Sequence, residues 1–577
     1  MDTFLTAIYM ALICLVFTAD DKTETTRVNT PSGPINGFKT QNKNTGINLH
    51  EFRGIPFGKP PVGPLRFKKP EPVDKWTDVL DATEYGAGCP QTVYIPDLAP
   101  RKMSEDCLFL NVYVPGSLDE SRKLSVMVWI YGGGLMAGFS SQYDGGWIAT
   151  QGNVIVITIS YRVDILGFFT LDHPAALGNY GLWDQKLALQ WVHDNIASFG
   201  GNPDSVTLFG ESAGGLSASF QSLIPSNQGL VHRIIAQSGV VNRMSIMTKK
   251  LINDRTIELA QKTSCPINDM YKFVNCLRDK DYSELLEATN IGSFMAQDRI
   301  ESYQLPYFAV VDGELFHDHP ISSLDDKSEV AKFFKSLDFI TGYTSNEGLV
   351  LYFMILPKMQ EIFEFNVTEG IPVKFICEGM VAPFVELFYK NDTDIKQKMC
   401  SFYTTESSKD EQSMRANHLL GDIIFNHPAM EMLSYHTRLG GKSYQYLFSK
   451  EKHIEWGSAS FPEWATGSSH GEDLQFMFDM HTVMPSLNET KFTPEEKDLS
   501  DKIIQYWTSF AKTGEPYGDV GAIQWKPFDL TSRYYLDLDT PLALRSNLSP
   551  KMVEFWSKEI PPIGLEHMEK VKRHDEL

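Results

Sequence analysis

Metal-binding patterns are missing from this chain of 577 residues. It has only seven cysteines, none in CxxC spacing, and no HExxH, which leaves no sequence pattern for a zinc site. Positive charge is also scarce: 52 Lys+Arg against 73 Asp+Glu give a formal net charge of −21. A chain this acidic argues against nucleic acid as a partner, because phosphate binding needs concentrated basic charge. There is no internal repeat, no low-complexity tract and no Gly/Ser linker, so no domain boundary is visible. A hydrophobic fraction of 42% with 22% charged residues excludes a disordered chain and reads as globular. The expectation is one domain over residues 20–573.

Long apolar runs are nearly absent as well. The one that stands out, Phe4 to Phe17 (FLTAIYMALICLVF), is shorter than the ~20 residues of a typical membrane span. Thr18, Ala19 and the polar run Asp20–Thr26 follow it. That order reads as a secretory signal peptide over residues 1–19, although Asp2 stands where a Lys or Arg is usual. No later stretch is apolar enough for a transmembrane segment. The last four residues, His574-Asp575-Glu576-Leu577, spell HDEL, an address read by the ER retrieval receptor. The two ends agree, since retrieval has meaning only for a chain that first enters the lumen. The endoplasmic reticulum lumen is the expected location. Its oxidising conditions suit the six cysteines left after Cys14 departs with the signal. Cys89–Cys107 and Cys265–Cys276 would close short loops, but six cysteines allow 15 pairings. Sequons at Asn366, Asn391, Asn488 and Asn547 are glycosylation candidates.

What the sequence does contain is a series of continuous β-branched runs: Val126–Tyr131, Val154–Tyr161, Val206–Phe209, Ile234–Gln237, Phe339–Gly342 and Tyr444–Phe448. Continuous rather than alternating apolar character suits strands covered on both faces. Helical patterns lie between them. Leu182–Phe199 carries Leu187, Trp191, Val192 and Ile196 at helical spacing and stops at Gly200-Gly201. Strands alternating with helices predict an α/β fold with a mostly parallel central sheet and helices on both faces. Met247–Lys335 is helix-rich with few strand signals and is expected to form a cap over the sheet.

Gly210-Glu211-Ser212-Ala213-Gly214 matches G-x-S-x-G, the turn in which a strand bends sharply into a helix and presents a strained serine. The sequence holds a second match, Gly467-Ser468-Ser469-His470-Gly471. Context separates them, because Ser212 follows the strand run SVTLF and opens the helical run AGGLSASFQSLI, whereas Ser469 follows FPEWAT with no strand leading in. Acyl transfer also needs donors for the developing oxyanion. Gly132-Gly133-Gly134 directly follows the strand VMVWIY, so the N–H groups of Gly133, Gly134 and Ala213 are the candidate oxyanion hole, with Tyr131 in the slot where a His is usual. His470, between glycines at the end of a loop, leads the candidates for general base over His427, His436, His453 and His481. Glu347 in Ser345-Asn346-Glu347-Gly348 follows the strand run DFITGY, where an acid should sit, but with 73 acidic residues the pattern alone does not select it.

Phe199–Gly214 (FGGNPDSVTLFGESAG) and Glu105–Asn111 (EDCLFLN) resemble the two signatures of type-B carboxylesterases, the carboxylesterase/cholinesterase family. FRGIPFGKPPVGPLRF (52–67), WIYGGG (129–134) and GNYGLWDQ (178–185) agree, and the likeness runs from about Asn29 to Trp556. The resemblance implies an α/β-hydrolase fold, with Ser212, Glu347 and His470 as the catalytic triad and Gly133, Gly134 and Ala213 as the oxyanion hole. It implies the disulfides Cys89–Cys107 and Cys265–Cys276, leaves Cys377 and Cys400 undecided, and implies an ion pair between Arg66 and Glu105. The activity to expect is that of a serine carboxylic ester hydrolase working through an acyl-enzyme on small neutral esters, with no metal or organic cofactor. The alternatives are a neutral lipase acting on long acyl chains and a non-catalytic adhesion or scaffold protein. A choline ester is not the expected substrate: the Cys89–Cys107 loop contains no Trp, only Tyr94 among aromatics, and Ser245 stands near where similar cholinesterases carry a Trp. These motifs do not speak to oligomeric state.

Overall fold

The computed structural model describes residues 24–43, 45–92, 100, 102–289, 307–349, 356–451, 461–478, 492–519 and 522–564. The expected signal peptide, the HDEL tail, Tyr94, Asn488, His453 and His481 lie outside these residues.

Thirteen strands form one sheet among the described residues. In chain order they are β1 (Glu24–Thr30), β2 (Gly33–Gln41), β3 (Asn48–Pro56), β4 (Leu80–Asp81), β5 (Phe109–Pro115), β6 (Leu124–Ile130), β7 (Ile155–Ile159), β8 (Gly201–Glu211), β9 (Arg233–Gln237), β10 (Asp338–Thr344), β11 (Ser443–Phe448), β12 (Tyr534–Leu538) and β13 (Ala543–Ser546). Their spatial order is β1-β2-β3-β5-β7-β6-β8-β9-β10-β11-β12-β13, with β4 beside β2. From β7 to β12 every neighbouring pair is parallel. All six of the β-branched runs are strands of this parallel core.

The antiparallel flank β1–β2–β3–β5 was not among the expected strands, and the reason is physical. β1 buries only Val28, and β2 alternates buried with half-buried residues, so their polar residues hide the β signal that the doubly covered strands show. The helices Tyr180–Asn195 and Ala213–Gln221 pack together and against β8, while Gly146–Gly152 packs on β5 and β7 and meets Pro494–Thr513, which packs on β6 and β8. Layers of this kind bury most of the parallel strands, and every residue of β7 is buried, as a helix-covered strand requires.

Boundaries differ slightly from expectation. The helix expected over 182–199 runs from Tyr180 to Asn195, then tightens into a 3₁₀ turn, Ile196–Phe199. Gly200 caps it at φ 81°, and β8 begins at once at Gly201. The helix-rich segment after Met247 contains Lys249–Thr263, Met270–Arg278, Tyr282–Ala288 and Glu329–Ser336. Phe273 of this segment packs edge-on against Phe169.

Three disulfides are formed among the described residues. Cys89–Cys107 and Cys265–Cys276 pair as the resemblance implies, and the two undecided cysteines, Cys377 and Cys400, pair with each other at a Cα separation of 5.3 Å. The implied ion pair is present and bidentate: Arg66 Nε and Nη2 donate to the two oxygens of Glu105 at 2.6 and 2.5 Å. Its Nη1 donates to the carbonyls of Leu277, Arg278 and Lys280. One guanidinium therefore ties the first disulfide loop to the helices of the second.

Candidate active site

The C-terminal ends of β8 and β10 and the segment after β11 bring Ser212, Glu347 and His470 to one edge of the parallel sheet, where ligands bind in open α/β sheets. Ser212 sits between the end of β8 and the helix Ala213–Gln221, at φ 56° and ψ −123°. A non-glycine residue there is strained, and the strain is held by packing on both sides. A side chain at Gly214 would put its Cβ 2.1 Å from the carbonyl oxygen of Ile130, and one at Gly239 would lie 2.0 Å from that of Ser212. Neither position has room for anything larger than glycine. The Ser212 N–H donates to Gln237 O at 2.8 Å and its carbonyl accepts from Leu216 N–H at 2.8 Å, so the corner is tied to β9 and to its own helix.

The loop after β6 carries the three glycines. It is anchored by Tyr131, whose ring stacks on Tyr161 at 4.4 Å between centroids. The Tyr131 hydroxyl donates to Tyr161 O at 2.8 Å, and the Tyr161 hydroxyl donates to Tyr131 O at 2.9 Å. This reciprocal clamp sets the peptide from which Gly132–Gly134 begins. Gly133 is exposed and Gly134 half-buried, both with positive φ.

Glu347 is 1% exposed. Its Oε1 accepts from the Ser238 hydroxyl and from the Thr344 N–H, each at 2.6 Å. Its Oε2 lies 2.5 Å from His470 Nδ1. The two loops that carry acid and imidazole are joined directly: Asn346 pairs with Ser469 as an isolated parallel bridge, Asn346 N–H donates to Ser468 O at 2.9 Å, and Asn346 Nδ2 donates to Thr466 O at 2.7 Å. The second G-x-S-x-G match is thus the loop that presents the histidine; Ser469 is 6% exposed and no strand leads into it.

The other ring nitrogen, His470 Nε2, lies 3.1 Å from Glu211 Oε1, on the residue immediately before Ser212. Burial pulls the imidazole down, but Glu211 and Glu347 outweigh it and raise its pKa above the usual value. Burial instead raises Glu211, against the pull of His470. Behind them Asp473, raised by burial to about 6, accepts from Gln237 Nε2 at 2.7 Å, while Gln237 Oε1 accepts from Trp507. Among the described alternatives for the base, His436 is held by Ser443 and the Phe334 carbonyl and His427 stacks on Trp556; both are packing residues.

Sequence reading missed the supporting residues. Glu211 stood inside the serine motif and Ser238 inside Gln237-Ser238-Gly239, so a signal existed for both, but nothing in either triplet says which partner it meets. Ser245 is 2% exposed and its hydroxyl accepts from Asn242 N–H at 3.0 Å. Asn366, Asn391 and Asn547 are all exposed.

An elbow serine, an adjacent glycine loop and a buried Glu–His pair are the parts of an acyl-transfer site, and comparison with known proteins agrees. The sequence profile of the carboxylesterase family matches residues 24–556. The chain is 33% identical over 571 residues to a medium-chain fatty acyl-CoA hydrolase precursor of Anas platyrhynchos, covering 96% of each. It is 32% identical to a cocaine esterase of Homo sapiens, over 99% of this chain and 98% of that one. Identity is also 32% to a cholinesterase of Mus musculus, over 96% and 90%. With a match this long and a mostly parallel α/β sheet beneath it, the chain belongs to the carboxylesterase family and is a carboxylic ester hydrolase.

Proposed function

We propose that Ser212 is the nucleophile, His470 the general base and Glu347 the acid that orients it. The observation that carries this is the span of the imidazole, with Nδ1 on Glu347 at 2.5 Å and Nε2 beside the residue that precedes Ser212. Ser212 Oγ attacks the ester carbonyl as His470 takes its proton, and the proton then passes to the leaving alcohol. Glu347 fixes the tautomer through Nδ1 and stabilises the imidazolium. Water activated by His470 hydrolyses the acyl-enzyme. The N–H groups of Gly133, Gly134 and Ala213 stabilise the oxyanion, and the loss of one such donor should raise the barrier by about 3–4 kcal/mol. An organophosphate should label Ser212 and no other residue; labelling at Ser469 would overturn the assignment.

The substrates we propose are neutral carboxylic esters rather than choline esters. Support comes from the composition of the Cys89–Cys107 loop, which offers no Trp face for a quaternary ammonium. Acetylthiocholine should be hydrolysed with a much lower kcat/KM than 4-nitrophenyl butyrate, and the opposite ranking would sink this reading. A chain-length series of 4-nitrophenyl esters separates it from a long-chain lipase. We further propose residence in the ER lumen after removal of residues 1–19, with retrieval through HDEL and glycans on the sequons. Deleting His574–Leu577 should release active enzyme into the medium.

A further inference from the structure

Phe425 lies on no motif and was assigned no role, yet its ring packs against His470 at 4.5 Å between centroids and 36° between planes. The helix Lys409–Gly421 does not run straight into the helix His427–Arg438; it widens into a π-helical turn, Asp422–Asn426. Pro428 accounts for the widening, because it has no N–H to donate four residues back and its ring crowds the carbonyl there. Such turns recur at functional sites. This one is braced from below: the Tyr403 hydroxyl donates to Asp422 at 2.9 Å, Trp556 Nε1 donates to that hydroxyl at 2.8 Å, and Asn426 Nδ2 donates to Asp422 at 2.8 Å. The same helix, Lys409–Gly421, packs on the turn Glu347–Leu349. One element therefore bears on both the acid and the base.

We propose that Phe425 is a positioning residue for the general base, its ring holding the His470 imidazole in place and stabilising the imidazolium that forms as Ser212 attacks. The proposal rests on the triad reading above. The physical reason is the aromatic quadrupole, whose negative face attracts a cation close above it, most strongly where water is excluded. The charged groups that face His470 are Glu347 at Nδ1, Glu211 at Nε2 and Asp473 on its own loop. Phe425 is the neutral partner that covers a ring face, so its contribution adds to theirs and can be varied alone.

The test is the pH dependence of kcat/KM for a 4-nitrophenyl ester, measured for the full chain carrying Phe425→Leu, Phe425→Tyr, and mono-, di- and trifluorophenylalanine at position 425. Fluorine drains the ring face of negative potential while leaving its shape almost unchanged. The acid limb should move down by about half a unit or more in Phe425→Leu, and stepwise along the fluorinated series. It should stay in place in Phe425→Tyr, and kcat should fall by about 3- to 30-fold in the leucine variant with KM little changed. If Phe425→Leu fails to fold, the fluorinated series carries the test. A limb that is present in wild type but unmoved by fluorination overturns this proposal alone. A wild-type profile without an acid limb overturns the triad reading, and this proposal with it.

Discussion

The corner that carries Ser212 and the pair formed by Glu347 and His470 are built by opposite means. The corner's own path is local: a strand, a tight turn and a helix follow one another within residues 199–221. Backbone from the neighbouring strand ends closes on it, so that Gly214 faces Ile130 O and Gly239 faces Ser212 O with no space for a side chain. The pair is assembled across 123 residues of sequence, by hydrogen bonds between two loops and by partners contributed from β10 and from the residue just after β9. The corner should therefore be intolerant of any added atom, whereas the pair should lose function in graded steps as its supports are removed one by one.

The largest expected effect is at the corner's one chemical group. Ser212→Ala removes the nucleophile but nothing that packs, so kcat should drop by about 10⁴-fold or more with the circular dichroism spectrum and melting temperature unchanged. Gly214→Ala is the mechanical counterpart. Its Cβ would enter the Ile130 carbonyl, the strand and helix must separate, and a loss of more than about 4 kcal/mol of stability is expected, read as a collapse of the denaturant midpoint. A Gly214→Ala enzyme of normal stability would break the contrast at its strong end.

On the other side, Ser238→Ala deletes one of the three contacts of Glu347 and leaves the Thr344 N–H and His470 in place. The expected cost is about 1–3 kcal/mol, or about 5- to 150-fold in kcat, with KM nearly constant. A loss as large as that of Ser212→Ala would mean the pair is no more graded than the corner. The smallest effect is a displacement rather than a loss. Because Glu211 and Glu347 favour the imidazolium, His470 becomes neutral only at higher pH than a free histidine, and the acid limb of kcat/KM should lie above about 6.5. Activity flat down to pH 4 would exclude a histidine base altogether.

The contrast also explains what was readable beforehand. The nucleophile corner was legible because its requirements are local: glycine where backbone meets backbone, β-branched residues in the doubly covered strand, small residues opening the helix. The six core strands were legible for the same reason, while β1 and β2, only partly buried and rich in polar residues, were not. Glu347 was one of 73 acidic residues until the family resemblance singled it out, since a carboxylate's role depends on which groups approach it and not on its own neighbours in the chain.

Sequence alone thus pointed to the family and the parallel core, and it marked Ser212 and the glycine loop beside it as candidates. Only the tertiary structure decided that Ser238 and Thr344 hold the acid, that Glu211 faces the far nitrogen of His470, that Cys377 meets Cys400, and that a proline-widened turn lays Phe425 on the imidazole. The physical reason is range. Turn geometry and strand burial are dictated by residues a few positions apart, whereas hydrogen bonds and ring contacts between loops arise only after β8, β9, β10 and β11 have lined up and brought distant segments within 3 to 5 Å of one another.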